Sequence, residues 1–223
     1  MTITQSIQDY LKAIYDLNTE EGAVSTSALA ARLGIAPASV TGMLQRLAGT
    51  EPALIVYRKH HGVQLTPAGE RAALEVIRHH RLLETYLVEA LGYTWDEVHA
   101  EACRLEHVIS EGLEARIAEH LGNPERDPHG APIPTLELDM PLEKDLPLSV
   151  LRPSQSATIT RVHDEDPALL RQLESLGLLP GSHLTILDFT ESDENLRLQV
   201  EGQSQSVVLG SAITNQIFVE VFE

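Results

Sequence analysis

Apolar residues recur at helical spacing over residues 6–18, where Ile7, Tyr10, Leu11, Ile14, Tyr15 and Leu17 mark one face and Asp9 falls on the polar one, so the pattern predicts an amphipathic helix. Ser25 or Thr26 caps a second helix ending at Leu33, Gly34-Ile35-Ala36 reads as a tight turn, and Pro37 opens a third helix through Val40, Met43, Leu44 and Leu47. Two short helices joined by a glycine-containing turn make a helix-turn-helix, the later one being the reader. Short strands at 54–57 and 63–66 flank a basic turn at 58–62, the pattern of a wing. One long helix is expected over 67–92 and another over 95–121, with Gly92-Tyr93-Thr94 turning between them. Prolines crowd residues 122–153, which excludes long regular helices there and reads as loop and linker. Beyond it, apolar alternation at 157–162, 183–187, 196–200 and 218–221 predicts the strands of a small β-barrel, with a helix only at 167–176.

These elements make an α+β chain in several small domains, and 223 residues suffice for two or three. The expected boundaries are 1–73 for the winged helix-turn-helix, 74–140 for a helical domain, 141–152 for a proline-containing linker and 153–223 for the β-rich domain. The net charge of -17 argues against a nonspecific polyanion binder, but the first 75 residues carry six Lys/Arg against seven Asp/Glu. A nearly neutral head on a strongly acidic body fits a small DNA-reading domain whose remainder phosphate repels. No apolar run approaches the ~18 residues of a membrane span and the start lacks a signal-peptide pattern, so no membrane partner and a cytoplasmic location are expected. With one cysteine there is no internal disulfide, and a thiol kept as a metal ligand suits a reducing compartment.

The stretch 98–107, VHAEACRLEH, places His99, Cys103, Glu106 and His107 at i+3 and i+4 spacing, so on one helix all four share a face. Imidazole, thiolate and carboxylate are ligands for divalent first-row metals. In the reader helix Pro37, Ser39, Thr41, Gly42, Gln45 and Arg46 are the exposed candidates, with Ala36, Ala38 and Gly42 small enough for contact with thymine methyls. Thr26, Ser27, Ser39, Thr41, Arg46, Arg58 and Lys59 would mostly hold phosphates, fixing register rather than sequence.

A winged helix-turn-helix, a metal-spaced helix and a β-rich tail in this order resemble the diphtheria toxin repressor family of iron- or manganese-dependent regulators. The resemblance rests on His80-Arg81-Leu82-Leu83-Glu84 and the run from His99 to His107, with Leu65-Thr66-Pro67-Ala68-Gly69, Gly130-Ala131-Pro132-Ile133-Pro134 and Leu176-Gly177-Leu178-Leu179-Pro180-Gly181 in support. It implies a central dimerisation and metal-binding domain and an SH3-like C-terminal domain of the ferrous-transport-accessory type. It further implies a primary metal site of Asp9, Cys103, Glu106 and His107, Cys103 binding through its thiolate or its carbonyl. The implied ancillary site is His80, Glu84 and His99, with Asp166 as the candidate carboxylate from the tail beside Glu165 and His163; the position of the family's glutamine is Leu169. The serine and asparagine that hold an anion beside the family's arginine correspond to Asp127 and Ala131, so Arg81 is not expected to hold one. His79 and His120 match nothing in the pattern and are expected in solvent.

Iron-sensing relatives carry methionine where this chain has Asp9, and manganese-sensing ones carry aspartate there with glutamate in place of Cys103, so the ligand set is a hybrid. The harder Asp9 favours Mn(II) over Fe(II), although the second acid of the manganese type is replaced by Lys12. Co(II), Zn(II) or Cd(II) are expected to substitute in vitro. The function implied is a homodimeric repressor of metal-uptake genes on an inverted-repeat DNA operator, switched on by metal. The alternatives are an Fe(II)-responsive regulator of the same fold, a helical metalloenzyme and a metal-independent scaffold. Neither Glu-x-x-His pairs on two helices nor His-Glu-x-x-His occurs, so no enzyme is expected.

Overall fold

The computed structural model describes residues 3–18 and 22–222, which divide into two compact units. The first takes residues up to 80 together with 106–109 and 134–140; the second takes 81–105, 110–133 and 141–223.

In the first unit α1 (Gln5–Leu17), α2 (Thr26–Leu33) and α3 (Pro37–Ala48) precede a hairpin of β1 (Ile55–Arg58) and β2 (Gly62–Leu65). The Ser25 hydroxyl accepts a hydrogen bond from the amide of Ala28 and caps α2. Gly34 ends it in the left-handed region with φ 65°, a backbone that glycine adopts without a Cβ clash, and the chain turns through 109° into α3. The hairpin pairs Ile55 with Leu65 and Arg58 with Gly62, and Val24 bridges to Val63 beside it. Ile7, Leu11 and Ile14 of α1 share one fully buried core with Leu29, Val40, Leu44, Leu47 and Ile55. Whatever holds α1 therefore holds the reader helix through close packing.

The long α4 (Pro67–Leu91) starts in the first unit and ends in the second. The helix expected over 95–121 is instead two, α5 (Val98–Leu105) and α6 (Glu111–His120). Ser110 explains the break: its side chain accepts from the amide of Leu113 and starts a new helix, leaving 106–109 outside both. Glu106 and His107 thus lie past the end of α5 rather than on one face with His99 and Cys103, which corrects the single-helix expectation.

The rest of the second unit contains β3 (Leu146–Pro147), β4 (Ser156–Val162), α7 (Pro167–Ser175), β5 (His183–Thr190), β6 (Asn195–Val200), β7 (Val207–Leu209), α8 (Ser211–Thr214) and β8 (Ile217–Val221). Among the described residues its strands form one antiparallel six-stranded sheet in the order β3-β8-β4-β5-β6-β7. Register shifts at 159/161 and 186/188 bend it, and it closes over Leu148, Ile159, Leu170, Leu173, Ile186, Leu198 and Val219. The edge strands β3 and β7 and the four-residue α8 were not anticipated, being too short to show a period. No single helix among the described residues is long and apolar enough to cross a membrane.

Candidate metal centre and nucleic-acid interface

The first unit brings together Asp9 of α1, His80 of α4, and Glu106 and His107 from the break after α5. His107 Nε2 lies 2.9 Å from Asp9 Oδ1 and 3.3 Å from Glu106 Oε1, and the three residues have ligand atoms within 4.8 Å of one another. Gln8 orients the ring: its Oε1 accepts from His107 Nδ1 at 2.9 Å, which in the neutral imidazole turns the Nε2 lone pair toward the two carboxylates. Glu106 Oε2 accepts from His80 Nδ1 at 2.5 Å and from Lys12 Nζ at 2.7 Å. The freed carbonyl of Glu106 accepts from His79 Nδ1 at 3.1 Å, so His79 is buried in this cluster and not in solvent as expected.

Burial and the neighbouring Glu106 push the Asp9 carboxyl up, and His107 and Lys12 only partly offset them. Burial acts the same way on Glu106, but the His80 hydrogen bond and the Lys12 charge outweigh it and hold that carboxyl below its ordinary range. Two carboxylates and an oriented imidazole converging on one point fit a divalent first-row ion.

Cys103 falls in the second unit, with its Sγ 3.5 Å from His99 Nε2. His99 Nδ1 faces Asp164 Oδ2 at 2.9 Å and Glu84 Oε1 at 3.2 Å. Burial disfavours its charge, yet hydrogen bonds with Asp164, Cys103 and Glu84 push the imidazole up to about 12. The tail carboxylate at this place is thus Asp164. Asp166, the residue expected there, caps α7 by accepting from the amides of Ala168 and Leu169.

Behind His99 lie two residues with ligand-type side chains, Asp127 and His129, that the sequence pattern did not single out for a metal site. Glu84, Asp127 and His129 are all buried and have ligand atoms within 4.8 Å of one another. His129 stacks on Trp95 and donates from Nε2 to the Trp95 carbonyl at 2.6 Å, leaving Nδ1 3.7 Å from Glu84 Oε2 and 3.9 Å from Asp164 Oδ2. The buried His129 Nδ1 and Asp127 Oδ2 make no hydrogen bond in the described structure. Orphaned buried polar atoms are costly, and a cation that displaced the imidazole proton would satisfy both through the lone pairs of His129 Nδ1 and Asp127 Oδ2. Burial and the Glu84 charge raise Asp127 to about 7, while Glu84 and Asp164 raise His129 to about 9 against its burial. The Asp-Pro-His-Gly run at 127–130 was the available signal, an acid and an imidazole two residues apart before a glycine. Arg81 Nε lies 3.7 Å from Asp127 Oδ2, so a carboxylate stands beside this guanidinium.

On the reader helix Pro37, Ser39, Gly42, Gln45 and Arg46 are exposed, as are Ser27 of α2 and Arg58 and Lys59 at the wing tip. Thr26 and Thr41 are half-buried, and the Thr41 hydroxyl donates back to the Pro37 carbonyl at 3.0 Å. His120, in the second unit, is exposed with its ring edge-on to Tyr86.

Family models match this chain in three stretches: the N-terminal DNA-binding domain of iron-dependent repressors at 2–63, their metal-binding and dimerisation domain at 66–135, and the FeoA domain at 146–221. The iron-dependent repressor IdeR of Mycobacterium leprae is 32% identical over 197 residues, covering 82% of this chain and 84% of that one. The diphtheria toxin repressor of Corynebacterium glutamicum is 30% identical over 232 residues, covering 99% and 98%. A manganese-dependent transcriptional repressor solved with manganese superposes with a TM-score of 0.88 at 39% identity, over 96% of this chain and 98% of that one. The chain belongs to the diphtheria toxin repressor family of metal-dependent transcriptional repressors.

Proposed function

We propose that this chain is a Mn(II)-activated transcriptional repressor of metal-uptake genes, a homodimer acting on an inverted-repeat DNA operator in the cytoplasm. The observation that carries the reading is Asp9, on a core helix of the winged-helix unit, standing 2.9 Å from His107. The manganese dependence of the solved relative supports the choice of metal, and so does the hardness of an Asp9, Glu106 and His107 donor set.

Bound at this cluster, a divalent ion supplies two positive charges between carboxylates that repel each other. Asp9 rides on α1, whose Ile7, Leu11 and Ile14 pack in one core with Val40 and Leu44 of α3, so fixing Asp9 against Glu106 and His107 fixes the attitude of the reader helix. Gln8 holds His107 in the binding tautomer. Coupling of this kind is worth about 1–3 kcal/mol per site, and operator DNA must tighten metal binding by the same factor. Arg46, Arg58 and Lys59 would hold phosphates while Ser39, Gly42 and Gln45 approach the bases.

Glu84, His99, Asp127, His129 and Asp164 would hold a second cation. The Cys103 thiol beside His99 is a softer group, and it favours Fe(II) as the alternative activator.

The experiment is an anaerobic titration of metal-free protein with Mn(II) and with Fe(II), read by fluorescence anisotropy of the DNA upstream of its own gene. Binding at lower Mn(II) than Fe(II), reversal by chelator, and loss in Asp9→Ala are expected. Tight binding in excess chelator would sink the metal switch, and a lower threshold for Fe(II) would reverse the metal.

A further inference from the structure

The first cluster contains a cation of its own. Lys12 Nζ touches Glu106 Oε2 at 2.7 Å, with the two side chains 18% and 4% exposed, so solvent screens the pair only in part. The same oxygen accepts from His80 Nδ1, leaving Glu106 Oε1 as the oxygen turned to His107. Lys12 stands three residues after Asp9, so α1 presents a carboxylate and an ammonium to one cluster from adjacent positions.

We propose that Lys12 is a tethered counter-ion that competes with the divalent ion for Glu106 and thereby sets the metal concentration at which the protein responds; this rests on the metal-site reading above. An ion bound by Asp9, Glu106 and His107 faces the lysine charge at close range. The ammonium has to give up Glu106, and its four-carbon stem lets it withdraw but not leave. Without the ion, the same ammonium offsets the repulsion between Asp9 and Glu106 and joins α1 to the 106–109 segment. The two roles have opposite signs: removing the charge tightens metal binding and loosens the metal-free protein. A lysine that merely supported the fold would not tighten metal binding when removed.

The test uses the metal-stripped full chain, titrated with Mn(II) while the paramagnetic resonance signal of the free ion is recorded. The component lost in Glu106→Gln identifies the first cluster. Lys12→Met and Lys12→Gln are expected to tighten that component by about tenfold or more, while Lys12→Arg stays within about threefold of the parent, as a partly screened unit charge at contact distance requires. Metal-free Lys12→Met and Lys12→Gln should melt below the parent. Unchanged or weaker Mn(II) binding in both neutral variants overturns the counter-ion and leaves the site standing. A Glu106→Gln titration that matches the parent overturns the site itself, and the competition with it.

Discussion

Gly130 has φ 86°, and a Cβ there would run into the Thr160 carbonyl and come within 2.8 Å of the Arg161 Cα. Its neighbour His129 is held against the same strand, its carbonyl accepting from the amide of Val162 at 2.9 Å. The glycine is thus what lets the imidazole approach Glu84 and Asp127. Gly130→Ala combines a disallowed backbone with a collision against main chain, and should cost about 3 kcal/mol or more in chemical denaturation. It should also weaken the Mn(II)-binding component that Glu106→Gln leaves in place. A variant of parental stability would mean that strand β4 yields easily.

At the level of elements, Gly42 makes structural and recognition roles separable. It lies on the exposed face of α3 with nothing within 4 Å of where its Cβ would be. Alanine in a helix interior is favoured over glycine by about 0.5–1 kcal/mol, so Gly42→Ala should raise the melting temperature. Where α3 lies close in the groove, the added methyl should at the same time weaken operator binding, and anisotropy reads that directly. Higher stability with unchanged affinity would place Gly42 away from the bases. The break between α5 and α6 responds to its cap: Ser110→Ala should lower stability by about 1 kcal/mol in denaturant unfolding.

Across the whole molecule, the buried second cluster fixes a sign for pH dependence. Folding raises Asp127 from an ordinary 3.8 to about 7, and His129 from 6.5 to about 9. Between those limits the folded protein holds protons that the unfolded chain has released, so stability falls as pH rises, across 4–7 for the acid and 6.5–9 for the imidazole. The metal-free protein should therefore melt at a lower temperature at pH 9 than at pH 6. Metal binding displaces the same protons, so Mn(II) should stabilise more at the higher pH. A metal-free melting temperature that climbs over this range would contradict the assignment of these two groups.

Periodicity made most of the fold legible, because a buried stripe at i, i+3, i+4 or an alternating face is a property of the local sequence. Helices α1 to α4, the wing and strands β4, β5, β6 and β8 were marked in this way by Leu11, Val40, Val63 and Ile186 among others. Ligand-type residues at helical spacing likewise pointed to the stretch from His99 to His107. Sequence spacing did not show that Ser110 stops the helix, because a cap competes with continued helix only in the packed context. It also singled out Asp166 for the tail carboxylate, whereas Asp166 Oδ1 accepts from the helix amides and Asp164, two residues earlier, is the acid that reaches His99. Asp127, His129, Gln8 and the contact of Lys12 with Glu106 joined their clusters from positions remote along the chain or silent in their own pattern. The residue types and their local spacing thus determined that the protein carries a DNA-reading head and metal-type ligands. Which side chains converge, and which charge each one meets, was decided by tertiary packing, since Coulomb and hydrogen-bond interactions depend on distance through space rather than along the chain.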